Sequence, residues 1–154
     1  MKKIIFAAVL FIGFTSLQAQ ELKWHDNFDE AAKVSQKTNK PILANFTGSD
    51  WCGWCIRLDK EVFSKKEFKK WADKNVVLLT VDFPKRKQLA ADITEQNNAL
   101  QRAFQVQGFP TIWLMSPGDG KVPTEGITPL GKTGYVKGGA EKWIASIASA
   151  LPKN

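Results

Sequence analysis

Two cysteines at the predicted junction of a strand and a helix constrain this chain more than any other feature. Cys52 and Cys55 follow an apolar run at residues 42–46 and precede a helix-compatible run at 56–63. At a helix N-terminus, the first thiol lies among unpaired backbone N–H groups, whose partial positive charge favours thiolate over thiol. The second thiol lies about one turn further on, close enough to form a disulfide with the first. The spacing therefore predicts a two-electron redox pair.

A structural staple and a zinc site are the alternative uses of two cysteines. A disulfide that closes so short a loop removes little entropy from the unfolded chain, so it makes a poor staple. A structural zinc site needs four ligands, and His25 is the only histidine of the chain. Redox chemistry therefore fits the pair better than either, and we predict no metal site. We expect His25 to lie at the surface or in an N-terminal loop.

Hydrophobic periodicity and capping residues predict alternating helices and strands. Asn27 is a candidate N-cap because Glu30 follows three residues later, and a second capping box begins at Ser64. The predicted elements are helices from Asn27, after Cys55, from Ser64, over about 89–105 and at the C-terminus, and strands at 42–47, 76–82, 111–115 and about 135–136.

This order of elements predicts the fold class. Strands that alternate with helices are usually parallel, with the connecting helices on both faces of the sheet. The tail after Pro110 supplies antiparallel strands instead, because a glycine- and proline-rich hairpin joins them. We therefore predict an α/β fold, an α/β/α sandwich of three layers around a mixed central sheet, formed by one domain at residues 20–154.

The first 19 residues have the layout of a secretory signal peptide. Two lysines precede an uncharged apolar run at residues 4–14, and a short polar segment ends at Ala19. A retained membrane anchor is the alternative, but this run is shorter than the roughly 20 residues that a spanning helix needs. No cysteine directly follows the run, so the sequence offers no lipoprotein attachment point. We expect cleavage, export to the periplasm and no stable membrane insertion.

The charge of the chain excludes one class of partner. Without residues 1–19 the chain keeps 20 of its 22 basic residues against 15 acidic ones, a net charge of +5. A nucleic-acid binder would gather its basic residues into a patch or stripe, whereas these alternate with acids along the chain. The one dense run, at residues 85–87, is typical of a solvated loop. We predict a monomer that binds no nucleic acid.

Three motifs together resemble the thioredoxin superfamily. They are the sequence Trp-Cys-Gly-Trp-Cys at residues 51–55, the sequence Gly-Phe-Pro-Thr at 108–111, and a glycine pair at 138–139 before the terminal helix. The resemblance covers essentially the whole chain after residue 19. Within the superfamily, the chain is similar to exported bacterial thioredoxin-like proteins and to the periplasmic thioredoxin domain of DsbD-type thiol:disulfide interchange proteins.

The resemblance implies a role for each motif residue. Cys52 corresponds to the solvent-facing nucleophile and Cys55 to the buried resolving thiol. Pro110 corresponds to a proline that follows a cis peptide bond, and Trp51 and Phe109 to an apolar rim for an extended substrate strand. The residues implied to contact substrate are Trp51, Gly53, Trp54, Phe109 and Pro110.

Two positions depart from the thioredoxin pattern. Asn45 occupies the strand position where thioredoxins carry a buried aspartate that moves the proton of the resolving cysteine, and an amide cannot take that proton. Asp59, four residues after Cys55 and on the same helical face, is the candidate replacement. Trp54 stands where thioredoxin has proline. Because the residues between the cysteines tune redox poise, the direction of electron flow is left open.

These observations predict a thiol–disulfide oxidoreductase that acts on protein substrates in the cell envelope. No bound organic cofactor is implied, so electrons come from a partner, for which we expect a membrane electron-donor protein. The alternative is a non-catalytic peptide-binding or chaperone-like module that uses the same apolar rim.

Overall fold

The computed structural model describes residues 22–118 and 126–152 as one mixed sheet covered by helices on both faces. The predicted leader, residues 1–19, lies outside the described residues and stays a prediction. The strands are β1 Trp24–His25, β2 Ile42–Thr47, β3 Val77–Asp82, β4 Thr111–Ser116 and β5 Thr128–Thr133. The helices are α1 Phe28–Thr38, α2 Gly53–Leu58 with its π-helical continuation Asp59–Phe63, α3 Lys66–Asn75, α4 Ala91–Ala103 and α5 Gly139–Ala148.

The sheet confirms the predicted fold class. Its strand order is β1-β3-β2-β4-β5. Strand β3 runs parallel to β1 and to β2, whereas β4 is antiparallel to β2 and to β5. The C-terminal ends of β2 and β3 therefore lie at the same end of the sheet as the N-terminal end of β4. The cysteines follow β2, and Pro110 precedes β4, so both motifs lie at this end of the sheet.

The core lies in two layers because the central strands are covered on both faces. Successive strand residues point to opposite faces of a sheet, and β2 divides its apolar side chains accordingly. Leu43 packs in the layer under α3, α5 and the π-helical turn, with Trp143 of α5 at its centre. Ile42 and Phe46 pack in the other layer, under α1 and α4. Both layers therefore pack against β2, the strand that leads into the cysteines.

Helix α1 and strand β2 follow the sequence closely. The Asn27 side chain accepts a hydrogen bond from the backbone N–H of Glu30 at 3.0 Å, as the predicted cap requires. The helix ends at Asn39, which adopts the left-handed conformation (φ 54°) before Pro41. Strand β2 has the predicted bounds. Local signals decide these elements because their caps and breakers lie within the segment itself.

Three expectations about local structure are wrong. His25 is not at the surface: it lies in β1 and is 6% exposed. The capping box at Ser64 does not form, because the π-helical turn draws the Ser64 N–H to the Asp59 carbonyl (2.9 Å) and α3 begins from Lys65 without a side-chain cap. The last strand lies at 128–133 instead of 135–136. Proline is tolerated at a sheet edge, so Pro129 does not prevent it.

Within residues 22–118 and 126–152, no helix is both long enough and apolar enough to cross a membrane.

Candidate redox site

Cys52 and Cys55 form a disulfide at the start of α2. Cys52 is the N-cap of this helix, with extended backbone (φ −83°, ψ 103°), and Cys55 lies in its first turn. Their Cα atoms are 5.2 Å apart. The sulfur of Cys52 accepts a hydrogen bond from the backbone N–H of Cys55 at 3.2 Å. A helix N-terminus therefore faces the Cys52 sulfur, and this stabilises a thiolate there once the disulfide is reduced.

The two cysteines do not differ in exposure. The resemblance implied a solvent-facing Cys52 and a buried Cys55, but the residues are 7% and 6% exposed. In the disulfide form both residues are buried. What distinguishes the two is position: Cys52 caps the helix, whereas Cys55 is part of its first turn. Gly53, between them, is exposed and has open space around it.

Trp51, directly before Cys52, forms an aromatic rim with Phe83 and Phe109. The Trp51 and Phe109 ring centroids are 6.0 Å apart, and those of Phe83 and Phe109 are 5.1 Å apart. The peptide bond between Phe109 and Pro110 is cis, as the resemblance implied. Trp51 is 38% exposed, so this rim offers an apolar face to a partner beside the cysteines.

The Trp51 indole is held in a fixed place. Its Nε1 donates to the Phe83 carbonyl at 2.7 Å. The ring lies over Gly48, where a Cβ atom would come within 2.5 Å of the indole. The glycine before the motif therefore leaves room for the ring, a requirement that the sequence did not make visible.

Trp54, directly before Cys55, belongs to a second cluster. It is 55% exposed, and its ring centroid lies 5.0 Å from that of Tyr135. Glu61 accepts a hydrogen bond from the Tyr135 hydroxyl at 2.5 Å and one from Arg57 Nε at 2.7 Å. The Arg57 guanidinium carbon is 5.5 Å from the Trp54 ring centroid. Trp54 thus has an aromatic and a cationic neighbour.

The hydrogen bonds of this cluster shift the pKa values of Glu61 and Tyr135. The hydrogen bond from Tyr135, followed by that from Arg57, lowers the pKa of Glu61. The same bond raises the pKa of Tyr135. Sequence reasoning missed the cluster. Arg57 and Glu61 are four apart on a helix, which could have indicated a pair, but no sequence signal brings Tyr135 to them.

Two carboxylates hold the turn that precedes the cysteines. Asp50 accepts hydrogen bonds from three consecutive backbone N–H groups at residues 85–87, at 2.7–3.2 Å. The bond from Lys85 is the main cause that lowers the pKa of Asp50. Asp82 accepts from the N–H and hydroxyl of Ser49 at 2.9 and 2.6 Å and pairs with Lys87 Nζ at 2.8 Å. The cysteine turn and segment 82–87 are thereby fastened together.

We expect Asp82→Asn to lower the free energy of unfolding at neutral pH by about 1–3 kcal/mol, since it removes hydrogen bonds to a charged group. Burial raises the pKa of Asp82, but its bonds with Lys87 and Ser49 outweigh that and hold the pKa below its usual value. A carboxylate with a lowered pKa stabilises the fold above its unfolded pKa and loses this effect as the pH falls through its folded pKa. Urea unfolding from pH 7 down to pH 2 measures both effects.

In the Asp82→Asn protein, the decline of stability below about pH 4 should be shallower than in the parent. The matched control is Asp73→Asn, because Asp73 is exposed on α3. If the two variants have the same acid profile, Asp82 does not hold the turn.

A cavity of ≈ 390 Å³ lies beside Cys55, and Asn45 and Asp59 also line it. The Asn45 Oδ1 atom is buried and has no hydrogen-bond partner among the described residues. Asp59 is exposed, and its carboxylate lies 3.5 Å from the Ser64 hydroxyl. Hydroxyl-bearing side chains complete the polar part of the lining: Thr47, Ser49 and Thr80. Asn45, which departs from the thioredoxin pattern, and Asp59, its candidate replacement, therefore share one cavity with the second cysteine.

Comparisons with known proteins agree with this geometry. The family model for a thioredoxin-like domain matches residues 28–132. The chain is 31% identical over 135 residues to a Chlamydia pneumoniae protein called Disulfide bond reductase DsbH, with 88% of this chain and 76% of that protein covered.

Two solved structures extend the likeness. One, called DsbH Oxidoreductase, has a TM-score of 0.76 and 29% identity, with 94% of each chain covered. The oxidised C-terminal domain of Neisseria meningitidis DsbD has a TM-score of 0.53 at 20% identity, with 79% of this chain and 90% of that chain covered, which is a likeness of fold. The chain is thus a thiol–disulfide oxidoreductase that belongs to the thioredoxin-like family.

Proposed function

We propose that this protein reduces disulfide bonds of protein substrates in the cell envelope, with Cys52 as the nucleophile and Cys55 as the resolving thiol. The observation that carries the proposal is the Cys52–Cys55 disulfide at the N-terminus of α2, flanked in sequence by the exposed side chains of Trp51 and Trp54. The reducing direction is supported by the 31% identity to a disulfide bond reductase. Export is supported by the signal-like layout of residues 1–19.

The reaction starts from the reduced protein. The Cys52 thiolate attacks one sulfur of the substrate disulfide, a mixed disulfide forms, and the other substrate sulfur leaves as a thiolate that takes a proton from water. Cys55 then loses its proton and attacks the Cys52 sulfur, which releases the second substrate thiol. Two electrons pass to the substrate, and the protein is left with the Cys52–Cys55 disulfide, the form in which the structure holds it.

Return to the reduced form needs a dithiol donor of the same chemistry. We propose a membrane-bound donor protein for this step and a monomeric protein that meets it. The aromatic rim and Pro110 would serve both partners, because donor and substrate must each present a sulfur to Cys52. Gly53 and Trp54, between the cysteines, would contact the partner and tune the redox poise.

The cavity beside Cys55 offers a route for the proton of this residue. Asp59 supplies the carboxylate, and Asn45 offers an unpartnered amide oxygen to a bridging water. A cavity of ≈ 390 Å³ exceeds by far the roughly 30 Å³ that one water occupies in the liquid. In this proposal water carries the proton from Cys55 to Asp59, and Asn45 positions that water.

We expect Asp59→Asn to slow the resolving step about 3- to 10-fold, because the acceptor of the Cys55 proton is lost; the contribution of a general base is typically larger than this, but water can substitute in part. Asn45→Asp should speed that step or shift its pH dependence. It should also lower the stability of the fold, since a carboxylate in an apolar strand is costly to desolvate. Stopped-flow reduction of a model disulfide from about pH 5 to pH 9 measures the rates.

The matched control for this experiment is Asp73→Asn, an exposed aspartate on α3. An Asp59→Asn protein with the parent rate and pH profile would show that Asp59 takes no part in the transfer. The assignment of Cys52 and Cys55 would be unaffected by that outcome.

The reduction potential of the cysteine pair tests the proposed direction. Equilibration with glutathione buffers, followed by alkylation and mass analysis, gives the ratio of dithiol to disulfide. A reductase should have a potential in the range of roughly −200 to −270 mV, whereas a value near −120 mV is that of a strong oxidant. A potential in the latter range would contradict the reducing role. Failure to reduce any disulfide at all would contradict the proposed function as a whole.

A further inference from the structure

A groove opens beside the redox site, and Trp51 lines both. It has a volume of ≈ 880 Å³, within the range of about 300–1,000 Å³ that is usual for ligand sites. Residues 82–85 and 87–89 and one side of α4 form its walls. We call it the basic groove because three cations line it: Lys85, Lys87 and Arg102. The apolar side chains of Trp51, Phe83 and Leu89 line it as well.

The cations of the basic groove are not all compensated. Lys87 pairs with Asp82 at 2.8 Å. Lys85 lies with its Nζ 4.1 Å from the Trp51 ring centroid, and the ion pairs among the described residues include neither Lys85 nor Arg102. Besides Asp82, Glu95 is the acidic side chain of the lining. The groove therefore presents an excess of positive charge to whatever enters it.

Asp50 holds the basic run at residues 85–87 beside the cysteine turn. Its carboxylate accepts hydrogen bonds from the backbone N–H groups of these residues, while the side chains of Lys85 and Arg86 are exposed. The sequence alone indicated only a solvated loop here. The structure fastens this run to the cysteine turn, so its charge acts at the redox site.

We infer that the basic groove receives an extended acidic segment of the protein whose disulfide is exchanged at Cys52. This rests on the proposed function. Charge complementarity is the first argument, because Lys85 and Arg102 would meet carboxylates. Continuity is the second: Trp51 and Phe83 belong both to the aromatic rim and to the groove. A segment that lies on the rim with its cysteine at Cys52 would thus continue into the groove, and Phe83 and Leu89 would contact its apolar side chains.

The test compares three disulfide-bonded peptides that differ only in the residues beside one cysteine: glutamates, lysines or glutamines. With the protein reduced beforehand, we expect the second-order rate constant for reduction of the glutamate peptide at low salt to exceed that for the lysine peptide about tenfold or more, since charge complementarity raises association rates by such factors. At 1 M salt the ratio should approach one, because the screening length falls to about 3 Å. Equal values at low salt would overturn the inference.

The double variant Lys85→Gln/Arg102→Gln should reduce the low-salt ratio at least about threefold. It removes the two lining cations that no ion pair among the described residues includes. The matched control is Lys33→Gln/Lys37→Gln, which removes two exposed charges from α1 and should leave the ratio unchanged. A ratio that stays at the parent value in the first variant would also overturn the inference. Failure of the proposed function is a different result, namely that the glutamine peptide is not reduced.

Discussion

Replacing Cys55 with serine is expected to leave the protein joined to its substrates as stable mixed disulfides. The Cys52 thiolate can still attack, but the residue that resolves the intermediate is gone. Replacing Cys52 with serine should lower disulfide reduction at least about 1000-fold and trap few or no partners, because a serine hydroxyl is not ionised at neutral pH and the nucleophile itself is lost. Non-reducing gels of the protein isolated from its host, followed by mass spectrometry, measure the trapping.

The double variant Cys52→Ser/Cys55→Ser is the control for this experiment. A protein that only binds extended peptides through its aromatic rim would retain the same partners after both cysteines are removed. An oxidoreductase would lose them. Equal trapping by the two single variants would contradict the assignment of nucleophile and resolving thiol, because the helix N-terminus faces the Cys52 sulfur and not that of Cys55.

Trp143→Ala should have the largest effect on stability, a loss of about 3–5 kcal/mol from the free energy of unfolding. Trp143 is completely buried in α5. Its ring packs at 5.3 Å from Phe63 and 5.7 Å from Phe68, and its Nε1 donates to the Gly134 carbonyl at 2.9 Å. The substitution would leave both a cavity and an unpaired carbonyl. Guanidinium unfolding of the oxidised protein measures the loss.

Trp143→Phe is the matched variant for this prediction. It keeps an aromatic ring against Phe63 and Phe68 but gives up the hydrogen bond to Gly134, so its loss should be less than half that of the alanine variant. It also keeps the prediction testable if the alanine variant fails to fold, since small domains have only about 5–15 kcal/mol of stability in total. A loss below about 1 kcal/mol for Trp143→Ala would show that α5 is not central to this layer of the core.

The effect of Trp143 should extend to the redox site. Phe63 ends the π-helical turn that continues α2, so a shift of α5 loosens the helix that carries both cysteines. The ring contact between Trp143 and Phe63 is therefore one link between the core and the helix that carries the site.

Sequence patterns predicted the elements that have their own local signals. The cap at Asn27, the apolar run of β2 and the strand–helix junction at Cys52 are each decided within a few residues. The alternation of elements was then enough for the fold class, because crossover connections and buried central strands restrict the possible sheets. The cysteine pair was visible for the same reason: both residues belong to one short segment.

The parts that were missed depend on contacts between distant segments. Strand β1 has two residues and no periodicity, and only its pairing with Leu78 and Leu79 makes it a strand. The bond from Tyr135 to Glu61 joins residues 74 apart in sequence. The bonds of Asp50 to residues 85–87 join two turns that follow different strands. None of these contacts leaves a periodic trace in the sequence.

The ends of three strands meet at one end of the sheet, and this has a consequence for the chain before it folds. Cys52 follows β2, the cations of residues 85–87 follow β3, and Pro110 precedes β4, so closing large loops must come before the site exists. An unfolded chain carries the same two thiols with the ordinary thiol pKa of about 8.5. Folding would thus act as the step that activates Cys52. The pH of half-maximal alkylation should be lower for the reduced native protein than for the same protein in urea, and equal values would show that the fold adds nothing to the reactivity of Cys52.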